Sequence, residues 1–199
     1  MLAIFLDTEA NGLNYKKHQV IELALKIIDI ETGEEKGIYH SVVRQTLPQW
    51  EGSDPLSLEV NGFTWDEVSL GKKTEIIAKE IIDLFALHKI QRGNAVFICQ
   101  NPSFDRAFFA QIIDPDMQEK LLWPYHWLDL ASMYWAKALT KEKTEANKMP
   151  WVTGLSKDKI AKVYKLPPED NPHRAMNGVD HLILCYEAIV GFPLKNTNQ

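Results

Sequence analysis

Asp7 and Glu9 stand two positions apart at the end of the apolar run Leu2-Ala3-Ile4-Phe5-Leu6. Five apolar residues without alternation predict a strand buried on both faces. Asp and Glu are poor strand formers, so packing does not explain them there. Residues i and i+2 of an extended chain share a face, which lets both carboxylates aim at one point. Two hard oxygen ligands aimed in that way suit Mg²⁺ or Mn²⁺. Taken alone, the pair also reads as an acidic turn closed by Asn11-Gly12, because acids often punctuate turns.

A second buried-strand candidate, Ala95-Val96-Phe97-Ile98-Cys99, runs into Gln100-Asn101-Pro102-Ser103-Phe104-Asp105-Arg106-Ala107-Phe108-Phe109. Ser103 is a helix-capping type, and Phe104, Ala107 and Phe108 recur at helical spacing. Asp105 then falls in a first helical turn, where a carboxylate suits the helix dipole. A third segment, Pro172-His173-Arg174-Ala175-Met176-Asn177-Gly178-Val179-Asp180-His181, leads into a last amphipathic helix.

In order and spacing, these segments resemble the motifs of the DEDDh 3′–5′ exonucleases, the DnaQ-like branch of the ribonuclease H-like superfamily. FLDTEANGL is similar to the first motif, QNPSFDRAFF to the second and PHRAMNG to the third. Weaker echoes lie at Val20-Ile21-Glu22-Leu23-Ala24 and Val60-Asn61-Gly62-Phe63-Thr64, so the resemblance runs from Ile4 to Gly191. It implies an α/β ribonuclease H-like fold, with a central mixed five-stranded sheet and helices on both faces. It also implies hydrolysis of nucleic-acid 3′ ends, in single-stranded DNA or RNA, to nucleoside 5′-monophosphates. Two Mg²⁺ or Mn²⁺ ions about 4 Å apart would activate the water and clamp the phosphate. By the same resemblance Asp7, Glu9 and Asp105 would hold these ions. His173 would be the general base, a role suited to a group titrating near neutral pH. Leu13 would be an apolar wedge beside the terminal base, the backbone at Thr8 and Glu9 would meet the 3′ hydroxyl, and Asn101 would be a further substrate contact.

The chain departs from the family pattern where an aspartate is usual five residues after the histidine, because that position is Gly178. The nearest acid is Asp180. Counted from Gly178, the residues Leu182, Cys185, Tyr186 and Ile189 form an apolar stripe; counted from Asp180, Glu187 would have to face the core. Two residues are about 200° of helix, so Asp180 can serve as a fourth metal ligand only if the helix starts late. Asn177-Gly178 would permit that, both being turn formers. Gln100 is a milder departure, standing where the family often has histidine. Two other readings therefore stay open: a nucleic-acid-binding module with little turnover, and an oligoribonuclease-like hydrolase of short oligonucleotides.

Periodicity supplies the elements that must carry these groups. Strands are expected at 2–7, at 19–29 with Ile21, Leu23, Leu25 and Ile27 on one face, at 37–45 after the turn Glu31-Thr32-Gly33-Glu34, and at 95–100. Helices are expected at 74–88, 103–113, 129–139, 156–165 with Ile160 and Val163 inward, and 178–190. Three strands followed by alternating strands and helices imply a mixed sheet with helices on its faces. Both acidic motifs then fall at strand ends, where open α/β sheets place ligands.

The 199 residues suit one exonuclease domain over 1–194 with a short polar tail at 195–199. Hydrophobic content of 45% and charged content of 25% are those of an ordinary globular protein. No membrane partner is expected, since no apolar stretch reaches the length of a membrane span and no leader opens the chain. Cys99 and Cys185 sit in apolar segments as core thiols, which fits a cytoplasmic location. A net charge of −5 argues against a nucleic-acid-coating protein. It leaves room for a nuclease acting on a free 3′ end, because bound metals bring positive charge. Lys137, Lys141, Lys143, Lys148, Lys157, Lys159, Lys162 and Lys165 crowd one stretch, as a solvated helical surface or a phosphate-tracking rim. A homodimer is also open, as several stand-alone members of the family are dimers.

Overall fold

The computed structural model describes residues 1–140 and 149–195, so Lys141, Lys143 and Lys148 lie outside the described residues. The chain opens with β1 (Leu2–Ala10), β2 (Val20–Asp29) and β3 (Glu35–Val42), paired antiparallel in succession. Three short helices, α1 (Leu47–Glu51), α2 (Pro55–Asn61) and α3 (Trp65–Ser69), precede the longer α4 (Thr74–Leu87). β4 (Ala95–Cys99) returns parallel to β1 and leads into α5 (Pro102–Phe109) and α6 (Pro115–Lys120). β5 (Trp127–Asp129) lies parallel to β4, followed by α7 (Leu130–Thr140), α8 (Pro150–Thr153), α9 (Lys157–Val163) and α10 (Ala175–Ile189). The strand order is β3-β2-β1-β4-β5, a mixed five-stranded sheet covered by helices on both faces, as expected.

β1 lies at the centre because its apolar run can be buried from both sides. Ile4 and Leu6 pack with Ile77, Ile81 and Phe85 of α4 and with Phe108 and Phe109 of α5. Ala3 and Phe5 face the other way, onto Tyr134 of α7, Ile160 of α9, and Val179, Leu182, Cys185, Tyr186 and Ile189 of α10. Each large side chain so buried contributes about 1.5–3 kcal/mol. Alternation then continues the α10-facing row through Asp7 and Glu9, while Thr8 turns toward α5.

The structure differs from the sequence expectations in ways that bear on the site. β1 does not stop before its acids. The ladder with β2 runs on through Asp7↔Ala24, Thr8↔Leu23 and Glu9↔Glu22, whereas pairing with β4 ends at Phe5↔Ile98. The acids therefore ride an overhang that has a neighbour on one side only. Asn101, in the left-handed conformation with φ 58°, is the N-cap of α5, and Pro102 fills the first helical position. Ser103 lies inside the helix, its hydroxyl donating to Asn101 Oδ1 at 2.6 Å. In α9, Ile160 is buried as expected, but Val163 is 42% exposed and Ala161 takes the inward position.

α10 begins at Ala175, three residues before the expected start. Its first amide donates to Glu22 Oε2 at 2.6 Å, and the other Glu22 oxygen meets His40 Nε2 at 2.6 Å. A carboxylate at a helix N-terminus is favourable by charge and by hydrogen bonding. This early start fixes the register with Gly178, Leu182, Cys185, Tyr186 and Ile189 buried. Asp180 consequently points out, 52% exposed, with its carboxylate 2.6 Å from Lys26 Nζ.

Candidate active site

Asp7, Glu9, Asp105 and His173 line one cleft of about 320 Å³, together with Thr8, Gln100, Phe104, Lys157 and Glu169. Four elements meet here. The β1 overhang aims Asp7 and Glu9, and α5 supplies Asp105 from its first turn. Asp105 Oδ1 accepts from both the Thr8 amide at 3.0 Å and the Thr8 hydroxyl at 2.9 Å, which welds α5 to β1 across the sheet end. The segment before α10 supplies His173, whose amide donates to Val60 O at 3.1 Å. Next to it, Arg174 pairs with Glu67 at 2.9 Å and lies over the Phe63 ring at 3.7 Å. The backbone around His173 is thus fastened, while its imidazole makes no hydrogen bond among the described residues and faces the cleft.

The fourth group is Lys157, at the first position of α9 behind the Ser156 cap. Its Nζ lies 3.1 Å from Asp7 Oδ1, 3.1 Å from Glu169 Oε1 and 3.3 Å from Gly178 O. Sequence reasoning placed Lys157 only within a lysine-rich stretch and did not single out Glu169. A signal was present in the chain: a lysine in the first turn opposes the helix dipole, so helix stability does not account for it. Asp158 Oδ1 accepts the Glu169 amide at 3.0 Å and holds that residue in place.

Burial governs the electrostatics. It pushes Asp7 above the ordinary carboxylate range, the neighbouring Glu169 adds to the rise, and Lys157 only partly offsets it. Burial and then the charge of Asp7 push Glu9 up to about 8. The same two causes hold Asp105 well above its ordinary value, against the Thr8 hydrogen bonds. Glu169 goes the other way: burial would raise it, but His181, whose Nδ1 is 3.8 Å away, and Lys157 bring it down to about 2. Lys157 is kept charged by Asp7 and Glu169 despite the desolvation that burial imposes.

The substrate-side residues divide. Leu13 is 79% exposed and, with Leu56, Val60 and Phe104, lines a second cavity of about 280 Å³ that shares Glu9 with the first. Thr8 lines the cleft, but its amide is engaged by Asp105 and so is not free to meet a 3′ hydroxyl. Asn101 lines neither cavity and stands at the N-terminal boundary of α5 without a side-chain cap hydrogen bond. Asp180 is likewise not brought to the cleft, being paired with Lys26 on the outer face of α10.

The donor set suits one divalent ion in its chemistry. Glu9 and Asp105 Oδ2 carry no hydrogen bond among the described residues, and their raised pKa values mark charge that lacks a partner. It falls short of a second ion. Position 178 offers no carboxylate, and the Lys157 ammonium holds Asp7 Oδ1 instead. Accordingly, no three His, Cys, Asp or Glu side chains among the described residues are arranged to hold a metal as they stand.

A family model described as Exonuclease (RNase T) matches residues 4–184. No curated protein matches the sequence. Among solved structures, a 3′-exonuclease studied for 3′-end-specific recognition of the histone mRNA stem-loop superposes with TM-score 0.69 at 15% identity, covering 96% of this chain and 65% of that one. Exonuclease I of E. coli, in complex with a dT13 oligonucleotide, gives TM-score 0.68 at 16% identity over 98% of this chain and 42% of its own. Cell-death related nuclease 4 gives TM-score 0.70 at 13% identity, over 95% and 63%. This chain covers less than two-thirds of each of those chains, and the likeness is one of fold.

Two expectations follow from the charges. Glu9 releases its proton near pH 8 when folded and near its ordinary 4.5 when unfolded. Between those values the folded chain holds a proton that the unfolded chain has lost, so stability falls as pH rises through the window. In EDTA, wild-type protein should lose up to a few kcal/mol between pH 5 and pH 8, at about 1.4 kcal/mol per pKa unit, and Glu9→Gln should lose clearly less. Urea melts at the two pH values check this; parallel losses would remove Glu9 as the cause. Asp180→Asn should leave Mn²⁺ affinity and nuclease activity within about twofold and stability within about 1 kcal/mol, as for an exposed pair. A severe loss of metal binding would show that Asp180 reaches the site.

Proposed function

This chain belongs to the exonuclease family, and on that premise we propose that it is a metal-dependent 3′–5′ exonuclease. It would act on single-stranded DNA or RNA and release nucleoside 5′-monophosphates. The observation that carries this reading is the meeting of Asp7, Glu9, Asp105 and His173 in one cleft, beside an apolar cavity bordered by the exposed Leu13. Asp7, Glu9 and Asp105 are the residues that would hold Mg²⁺ or Mn²⁺. When bound, such an ion supplies Lewis-acid activation of water and neutralises charge on the phosphate.

The remaining steps belong to the chain. The terminal base enters the cavity between Leu13, Leu56, Val60 and Phe104, which puts its phosphodiester beside Glu9. His173 takes the proton of the attacking water as the oxygen–phosphorus bond forms. The bond from phosphorus to the 3′ oxygen of the preceding nucleotide breaks, and that oxygen is protonated from solvent. Lys157 sets positive charge beside the phosphate. Lys159, Lys162 and Lys165 line a groove that shares Ser156 and Asp158 with the cleft, a basic course for the strand that leads away.

A second reading, binding with little turnover, draws on the Asp7–Lys157 pair that already engages one catalytic carboxylate. One assay separates the two. With Mn²⁺, labelled single-stranded DNA and RNA should shorten from the 3′ end to mononucleotides, and EDTA should stop the reaction. Retained oligonucleotide affinity with no release would favour the binding module. Cutting of a circular single strand at a comparable rate would sink the exonuclease reading.

His173→Ala should lower turnover by about 10²–10⁴-fold, the range for a positioned general base, with a smaller effect on oligonucleotide affinity. Near wild-type turnover at neutral pH would show that another group takes the proton.

A further inference from the structure

We propose that the Lys157 ammonium is itself the second cation of the cleft, a fixed charge standing in for one divalent ion, so that the chain binds one such ion and not two. This rests on the metal-dependent reading above. Nζ is surrounded by Asp7 Oδ1 at 3.1 Å, Glu169 Oε1 at 3.1 Å and Gly178 O at 3.3 Å, and the side chain is only 11% exposed. Two carboxylate oxygens and a carbonyl make an oxygen cage suited to a cation, and its occupant is the chain's own amine.

Gly178 and Lys157 are two halves of one exchange. A Cβ at position 178 would lie 2.2 Å from Asp7 Oδ2 and 3.0 Å from Lys157 Nζ. A side chain there would require the Asp7 carboxylate to move from the position in which it pairs with Lys157. Charge balances as well. A carboxylate with a divalent ion carries a net charge of +1, and a glycine with an ammonium carries the same. Counted over position 178, Lys157 and the lost ion alone, the charge is therefore unchanged, and Glu169 adds one negative charge that the same ammonium shares with Asp7. Glu169, held by Asp158 through its amide, supplies the second carboxylate oxygen of the cage. An ordinary buried ion pair would need neither the vacant Cβ position nor the contact with the Gly178 carbonyl.

The test counts ions on the full chain. Mn²⁺ is titrated with saturating thymidine 5′-monophosphate present, and bound ions are counted by calorimetry and by the electron paramagnetic resonance signal of free Mn²⁺. Wild-type protein should bind one Mn²⁺ per chain, and so should Lys157→Arg, which keeps the charge. Lys157→Ala empties the cage between Asp7 and Glu169 and should raise the count to two. The double variant Lys157→Ala/Gly178→Asp, which adds a fourth acid in the absence of the amine, should also bind two and serves if the single variant does not fold. Two ions on wild-type protein would overturn the proposal and leave the exonuclease reading standing. No ions on any form would overturn both. One ion on wild type and on the folded lysine variants alike would reduce Lys157 to a structural pair and overturn the proposal.

Discussion

Three largely buried carboxylates confined to one cleft are the constraint to which the rest of this molecule is fitted. Asp7, Glu9 and Asp105 are each pushed toward the neutral form by desolvation, and Asp7 adds repulsion to the other two. Such a cluster persists only where the backbone beneath it is held by other means. Here the means are apolar. Ala3, Ile4, Phe5 and Leu6 are fully buried just before Asp7, so the strand that carries the acids is fixed by its apolar half. The ladder to β2 then extends that order through the acids to Ala10.

Counter-charge and hydrogen bonding set the remaining geometry. Thr8 turns to the opposite face from Asp7 and Glu9, and its amide and hydroxyl hold Asp105, so one strand both presents two acids and anchors the third. On the other side of the sheet, Glu22 caps α10 and thereby decides which residue of that helix faces Asp7. That residue is Gly178, and the space left by its missing side chain admits Asp7 and Lys157 together. Among the described residues, the two buried acids outside the three main motifs, Glu22 and Glu169, thus have distinct tasks: one fixes the helix register and the other shares the lysine.

Much of this frame was legible in the chain because it is local. A strand buried on both faces shows as the unbroken run Leu2–Leu6, and the stripe Leu182, Cys185, Tyr186, Ile189 shows as helical spacing. That stripe alone chose Gly178 over Asp180. What escaped was decided by partners distant in sequence. β1 looked finished at Asp7 because Asp and Glu are poor strand formers, yet β2 pairs with it to Ala10. α10 looked as if it began at Gly178 because Asn177-Gly178 resembles a turn, but Glu22, 153 residues away, accepts the Ala175 amide. Helices of four to seven residues, such as α1 to α3, α6 and α8, complete too few turns to show a period. Asn101 fits the second motif as a substrate contact by type and spacing, whereas in the structure it stands in the left-handed conformation at the start of α5 and lines neither cavity.

Lys157 is the instructive omission. By composition it is one of many lysines in a basic stretch, and only its place behind Ser156 at the start of a helix set it apart. A motif records which residue types stand where, so a glycine in an acid's place reads as a loss. The cleft responds instead to summed charge and to space. An acid removed from α10 and an ammonium brought in by α9 together supply the two positive charges that one divalent ion would bring, and the amine reaches the volume beside Asp7 that the missing side chain leaves free. Helix α9 lies 21 residues before Gly178 by the Lys157 count and shares no motif with it. The compensation is therefore visible only once packing against Phe5 and Tyr186 brings the two helices over the same end of the sheet.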